Sequence, residues 1–288
     1  MSGIAAIRIV TRDADWLGNF YVRAFGFVRG RVRIEPPDPF ATRARRLLPL
    51  RLGAQRIELL EVDGGTIRAT PVPCDDARFQ HFAMVAPDMT RAHARLCATR
   101  GWTPITLGGP LALPERSGGA TAFKFRDPEG HPLELLSFPP GRATQRWADA
   151  PDDDVIGIDH TAIVVEQTER SLTHYASLGF VRTGGSVNYG AEQDTLDRLQ
   201  GSRVEVTALE LPDGGGPHLE LLCYRGGGAA GPIAAGDLVA TRTVMGGGDA
   251  FLADPDGHRW IVPLRLAEGV PPPHTRPARF AQAVVPLT

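Results

Sequence analysis

One pattern recurs along the 288 residues of this chain: an alternating apolar run, an amphipathic stretch that stops at glycine, and a later run with a glutamate among leucines. A self-similar period ties a chain to a modular architecture, because each unit must find a neighbour against which to bury its open face. The first unit begins IAAIRIVT (4–11), continues DADWLGNFYVRAFGF (13–27) and ends RIELLEV (56–62). The second begins FQHFAMVA (79–86), continues DMTRAHARLCATRGW (88–102) and ends HPLELLSF (131–138). The third begins IDHTAIVV (158–165), continues EQTERSLTHYASLGF (166–180) and ends PHLELLCY (217–224). A partial fourth holds only TRTVM and FLADPDGHRWIVPL (251–264).

Within each unit the β-branched alternation predicts a strand. An Asp or Thr then opens a helix that closes at Gly26, Gly101 or Gly179, as helix-end glycines do. Further short strands follow, the last pair of the second unit joined by an Asp-Pro-Glu-Gly turn. The expectation is an α+β fold of tandem βαβββ modules, three complete and a fourth truncated, forming two cup-shaped half-barrel sheets with helices outside. SFPPGRATQRWADAPDDD (137–154) reads as a linker, which predicts an N-terminal domain over 1–140, a linker over 141–157, a C-terminal domain over 158–266 and a tail over 267–288.

A composition of 42% hydrophobic and 22% charged residues with net charge −2 is that of a globular chain. No block of Lys or Arg stands apart from acids, so nucleic acid is not an expected partner. No apolar run approaches the roughly 18 residues of a bilayer span, nor does the N-terminus read as a signal peptide. Three unpaired cysteines, Cys74, Cys97 and Cys223, fit reduced packing thiols in a cytoplasmic monomer or homodimer.

Strand alternation puts His81 with Ala83 and Val85 on one face, His160 with Ala162 and Val164, Glu134 with Leu136, and Glu220 with His218 and Leu222. Charges in such apolar surroundings are usually paired or bound to metal. FKFRDPEGHPLELLSF (123–138) keeps Glu134, whereas the matching FLADPDGHRWIVPL has Ile261 in its place.

Together, DPEGHPLEL and the two H-x-A strands resemble the vicinal oxygen chelate superfamily, the glyoxalase, bleomycin-resistance and extradiol-dioxygenase group, over about residues 4–264. In that superfamily metal ligands come from the first and last strands of each module. The resemblance implies Ala6 and Glu58, His81 and Glu134, and His160 and Glu220 at those places, with Ile261 from a fourth unit lacking its first strand. Pairing the second unit with the third gives the full set His81, Glu134, His160 and Glu220, whereas pairing the first with the second gives Glu58, His81 and Glu134. The former is favoured, leaving a cup without histidine.

Two imidazoles and two carboxylates suit one divalent ion: Zn, Ni, Co, Mn or Fe(II). The implied activity is a metal-dependent lyase or isomerase acting on a small oxygen-chelating substrate through an enolate or enediolate, with Glu134 or Glu220 as base. The alternatives are an Fe(II) extradiol dioxygenase and a metal-free protein that sequesters a small molecule. Other histidines are assigned plainer places: His131 and His258 at turns, His218 behind the ligands or at the rim, and His93, His174 and His274 exposed. NYGAEQDTLDRL (188–199) is expected over the cup mouth, with Tyr189, Gln193 and Arg198 as candidate substrate contacts. ARFAQAVVPL (278–287) resembles ARFQHFAMVAP (77–87) and is a candidate for the missing strand, with Gln282 at the ligand position.

Overall fold

The computed structural model describes residues 3–34, 44–63, 71–141, 145–148, 153–212, 216–227 and 241–268. The first unit supplies β1 (Ile4–Thr11), α1 (Ala14–Phe25), β2 (Val28–Arg29), β3 (Ala44–Leu52) and β4 (Gln55–Val62). The second supplies β5 (Gln80–Val85), α2 (Met89–Cys97), β6 (Thr103–Pro104), β7 (Leu111–Ala112), β8 (Thr121–Arg126) and β9 (Pro132–Ser137). After α3 (Gln145–Ala148), the third supplies β10 (Gly157–Val164), α4 (Thr168–Ser177), β11 (Val181–Tyr189), α5 (Ala191–Asp197), β12 (Arg203–Glu210) and β13 (His218–Tyr224). The fourth is β14 (Arg242–Met245), β15 (Ala250–Ala253) and β16 (Arg259–Val262), followed by α6 (Leu264–Ala267).

Local chemistry explains the helix ends. Asp13 accepts from the backbone N–H of Asp15 and Trp16, and Gly26 closes α1 at φ 78°, where a side chain would be strained. Asp88 caps α2 through the Arg91 N–H. The start of α4 has no such side-chain bond.

Two sheets result, and each takes one unit from each half of the chain. The first runs β15-β16-β14-β1-β4-β3-β2 and the second β11-β12-β13-β10-β5-β9-β8-β6, with β7 beside β8. The second unit thus joins the third, through antiparallel β5 and β10, and the first joins the fourth through β1 and β14.

The fourth unit corrects the sequence expectation. It does have its first strand: β14 lies antiparallel to β1 and parallel to β16, as β5 lies to β10 and β9. The usual spacing between a first and a last strand comes from an intervening helix and strand, and the fourth unit has neither. The place assigned to the tail is therefore filled by β14, and the tail itself lies outside the described residues.

On each strand one set of alternate residues meets the helices and the other lines a cup. Ile7, Ile9, Ile57, Leu59, Phe82, Met84 and Leu133 pack with α1 and α2 in one core. Ile163, Leu219, Leu221, Met245 and Trp260 form a second with Tyr175. Between these cores Gln80 Nε2 donates to Thr161 and Thr243, linking the outer faces of the two sheets.

Repetition extends to the turns. Asp127 accepts from Tyr21 at 2.9 Å, and Asp254 from Tyr175 at 2.6 Å. Above them His131 Nε2 sits 2.9 Å from the Val10 carbonyl, and His258 Nε2 sits 2.8 Å from that of Val164. Both turn histidines thus bind the turn to a first strand of another unit. His174, expected at the surface, is buried instead, because it follows Ser171 on the inward face of α4. Cys97, expected to pack, is exposed. Among the described residues no helix is long and apolar enough to cross a membrane.

Candidate metal centre

Register brings the four sequence-selected residues to one concave face. His81 stands opposite Ala162 and His160 opposite Ala83 across the β5–β10 seam. On the flanks Glu134 of β9 is level with Ala83, and Glu220 of β13 with Ala162. Strands about 4.8 Å apart then put each imidazole near a carboxylate.

His81 Nε2 lies 3.0 Å from Glu134 Oε2. His160 Nε2 lies 3.9 Å from that same oxygen and 3.6 Å from Glu220 Oε2. His81, Glu134 and His160 form a tight group, with one ligand atom from each within 4.8 Å of the others, and Asp159, His160 and His218 form a second. Glu220 approaches from the His160 side. All but Glu220 are almost fully buried.

A residue not singled out by sequence stands behind His160. Simple alternation would turn Asp159 away from His160, but the β-ladder is irregular between Ile158 and His160. Asp159 Oδ2 consequently accepts from His160 Nδ1 at 3.1 Å and lies 3.7 Å from His218 Nδ1. Its other oxygen accepts from Trp147 Nε1 at 2.9 Å, a residue of the segment read as linker. A carboxylate behind a ligating imidazole fixes its tautomer and ring orientation. The adjacent Asp-His pair is the only sequence signal, and periodicity hides it. His218 Nε2 lies 3.4 Å from Glu220 Oε1, so this histidine sits behind the carboxylate rather than opposite it.

The four groups are electrostatically coupled. Burial opposes a charge on His160, but Glu220 and Asp159 outweigh it and lift the imidazole to about 9. Burial would raise the Glu220 carboxyl, yet His160 and His218 hold it far below the usual range. Glu134 is also lowered, with Lys124 and His81 overcoming burial. Burial pushes His81 down. His160 Nε2 and His81 Nδ1 are buried without a hydrogen-bond partner. A buried imidazole nitrogen aimed between two carboxylates fits a divalent ion.

The mouth is covered more firmly than expected. Helix α5 places Asp197 inside the cup, where it accepts from Lys124 Nζ at 2.7 Å, Tyr224 Oη at 2.8 Å and Gln193 Nε2 at 2.5 Å. Lys124 is in register with Glu134 on the neighbouring strand. Arg198 ends α5 at φ 54°. Tyr189 is outside on the rim, its ring 4.6 Å from the Arg116 guanidinium.

By sequence the chain matches no family model, and no curated protein matches significantly. Solved structures do match. Glyoxalase I from Zea mays aligns over 93% of this chain and 96% of its own, at 17% identity and TM-score 0.57. A point mutant of that maize enzyme aligns over 90% and 91%, at 17% identity and TM-score 0.58. A proposed dioxygenase from Bacillus subtilis aligns over 84% and 70%, at 17% identity and TM-score 0.51. The likeness to the maize enzyme spans most of both chains, and this chain therefore has the fold of glyoxalase I, the α+β fold of tandem modules expected from its sequence.

Proposed function

We propose that the chain is an enzyme of the lyase or isomerase type that binds one divalent ion through His81, Glu134, His160 and Glu220. The observation that carries this reading is the convergence of two imidazoles and two carboxylates from four different strands on one buried point. A bound divalent ion would supply Lewis-acid polarisation of a substrate carbonyl. The protein's own groups would do the rest. Asp159 and Trp147 hold His160 in place, and His218 holds Glu220. Glu220 and Glu134 are both ionised, and either can take a proton from the carbon beside a carbonyl. Glu220 is the better placed, since its side chain is 22% exposed against 7% for Glu134, and α5 limits entry of water and bulky molecules from above.

One observation favours a second reading. The tight group alone, His81, Glu134 and His160, is a two-histidine, one-carboxylate set of the kind that holds non-haem Fe(II) in oxygenases. The two readings part in one experiment. Protein loaded separately with Zn, Ni, Co, Mn or Fe(II) is incubated in deuterated, aerated water with a panel of small 2-oxo and 2-hydroxy carbonyl compounds and of catechols. The lyase or isomerase reading predicts deuterium uptake beside the carbonyl with the loaded protein and not with Glu220→Gln. Oxygen consumption confined to Fe(II) and catechols, without such exchange, would replace it with the second.

A further inference from the structure

The histidine cup is covered in this structure, and charge holds the cover down. His81, Glu134 and His160 are each less than a tenth exposed, so a substrate reaches them only after something moves. Leu196 of α5 packs in one cluster with Ala83, Ala120, Ala122 and Leu136. Ala83 is the residue level with Glu134 and opposite His160. The wall beside the centre is therefore made largely of alanine, and it is the helix that fills the space in front of it.

Apolar packing secures α5 only weakly. Its buried residues are Gln193, Leu196 and Asp197, of which one is a hydrocarbon side chain. The remaining hold is polar: Asp197 Oδ1 accepts from Lys124 Nζ, and its Oδ2 accepts from Tyr224 Oη and Gln193 Nε2. A buried ion pair returns little net stability once both charges have lost their water, so packing alone is a poor reason to place one here. Lys124 and Tyr224 belong to β8 and β13 and would stay in the sheet if α5 moved. Lys124 is also in register with Glu134, one strand spacing of about 4.8 Å from a candidate metal ligand.

The backbone on either side of α5 can absorb a movement. Gly190 precedes the helix at φ 92° and Gly201 follows it at φ 65°, where glycine is unstrained. Between them, Arg198 is the only non-glycine residue with positive φ among the described residues, at 54°. That conformation costs energy for a residue with a side chain, and it can relax when α5 lifts.

We propose that Asp197 occupies the place of a substrate carboxylate, and that the histidine cup takes a small carboxylic acid with a carbonyl or hydroxyl on the neighbouring carbon. This rests on the metal-centre reading of that cup, and adds Lys124 and Tyr224 as the residues that select the acid. The incoming carboxylate would replace Asp197 on Lys124 Nζ and Tyr224 Oη through charge-assisted hydrogen bonds. Asp197 would leave with α5, and the centre would open only to a molecule able to supply that charge.

Hydrogen exchange of the full chain, read by mass spectrometry on peptides covering residues 191–197, tests this with pyruvate and its neutral amide, pyruvamide. The protein is first stripped of metal, so that a carboxylate bound to an ion cannot produce the response. Pyruvate should speed exchange in α5 several-fold, and pyruvamide should leave it unchanged. Asp197→Asn, which removes the competing charge, should respond at lower pyruvate than the parent. Lys124→Met combined with Asp197→Leu, which strands no charge, should not respond. An α5 indifferent to pyruvate, equally responsive to pyruvamide, no more sensitive in Asp197→Asn, or still responsive in the double variant would overturn the inference. Metal uptake by the same preparations separates the two readings. A chain that takes up its ion without the pyruvate response sinks this inference alone, and one that responds without taking up an ion sinks the metal reading alone.

Discussion

His160 of the third unit faces His81 of the second across the β5–β10 seam, with ring centroids 5.7 Å apart. The two come from opposite halves of the chain, so neither half alone assembles the pair. Everything chemically distinctive about the histidine cup depends on that cross-half pairing of units.

Asp159 orients His160 from outside the group formed by His81, Glu134 and His160. Asp159→Asn should lower metal affinity about 10- to 100-fold, the usual cost of losing such a supporting carboxylate, while leaving the chain folded. Competition with a chromophoric chelator measures this. Affinity unchanged in the variant would mean that the Asp159–His160 bond is incidental.

The Lys124–Asp197 pair is the anchor of α5, with side chains 6% and 0% exposed. Lys124→Met leaves a buried carboxylate without its cation and should cost about 3–5 kcal/mol, as broken buried pairs do. Adding Asp197→Leu should recover part of that loss, because the stranded charge is gone. Urea denaturation gives both values. A single variant as stable as the parent would show that α5 is held by its other contacts.

His174 supplies a pH test remote from both cups. Burial pushes its imidazole down, against a weaker opposite pull from Asp254. A depressed histidine leaves stability complete above the unfolded value of about 6.5, and stability falls with pH below that point as the unfolded chain takes up the proton. His174→Gln should therefore lose less stability on acidification than the parent. Compared at about pH 7.5 and about pH 5.5, the melting temperatures of parent and variant should shift relative to each other in the variant's favour. A constant difference would contradict this role for His174.

Much of this architecture is legible in the sequence because strand alternation and the repeat are both periodic. The units can be laid over one another, and His81, Glu134, His160 and Glu220 fall at matching places in them. The fourth unit escapes that logic where periodicity fails. Its helix and one strand are missing, so counting back from Ile261 points inside the third unit and misses β14. Asp159 is hidden for a related reason: an irregular ladder between Ile158 and His160 turns it to a face that alternation assigns to its neighbours. Trp147 lies in a segment whose composition reads as linker, and a single hydrogen bond to Asp159 leaves no mark on composition.

If one cup binds metal and the other does not, elemental analysis of the reconstituted chain, its His160→Ala variant and its Glu58→Ala variant shows it most directly. About one equivalent of divalent ion per chain is expected for the parent and for Glu58→Ala, and nearly none for His160→Ala, because loss of a ligand empties an otherwise preformed site. Two equivalents in the parent, none after reconstitution, or a larger loss in Glu58→Ala than in His160→Ala would contradict it.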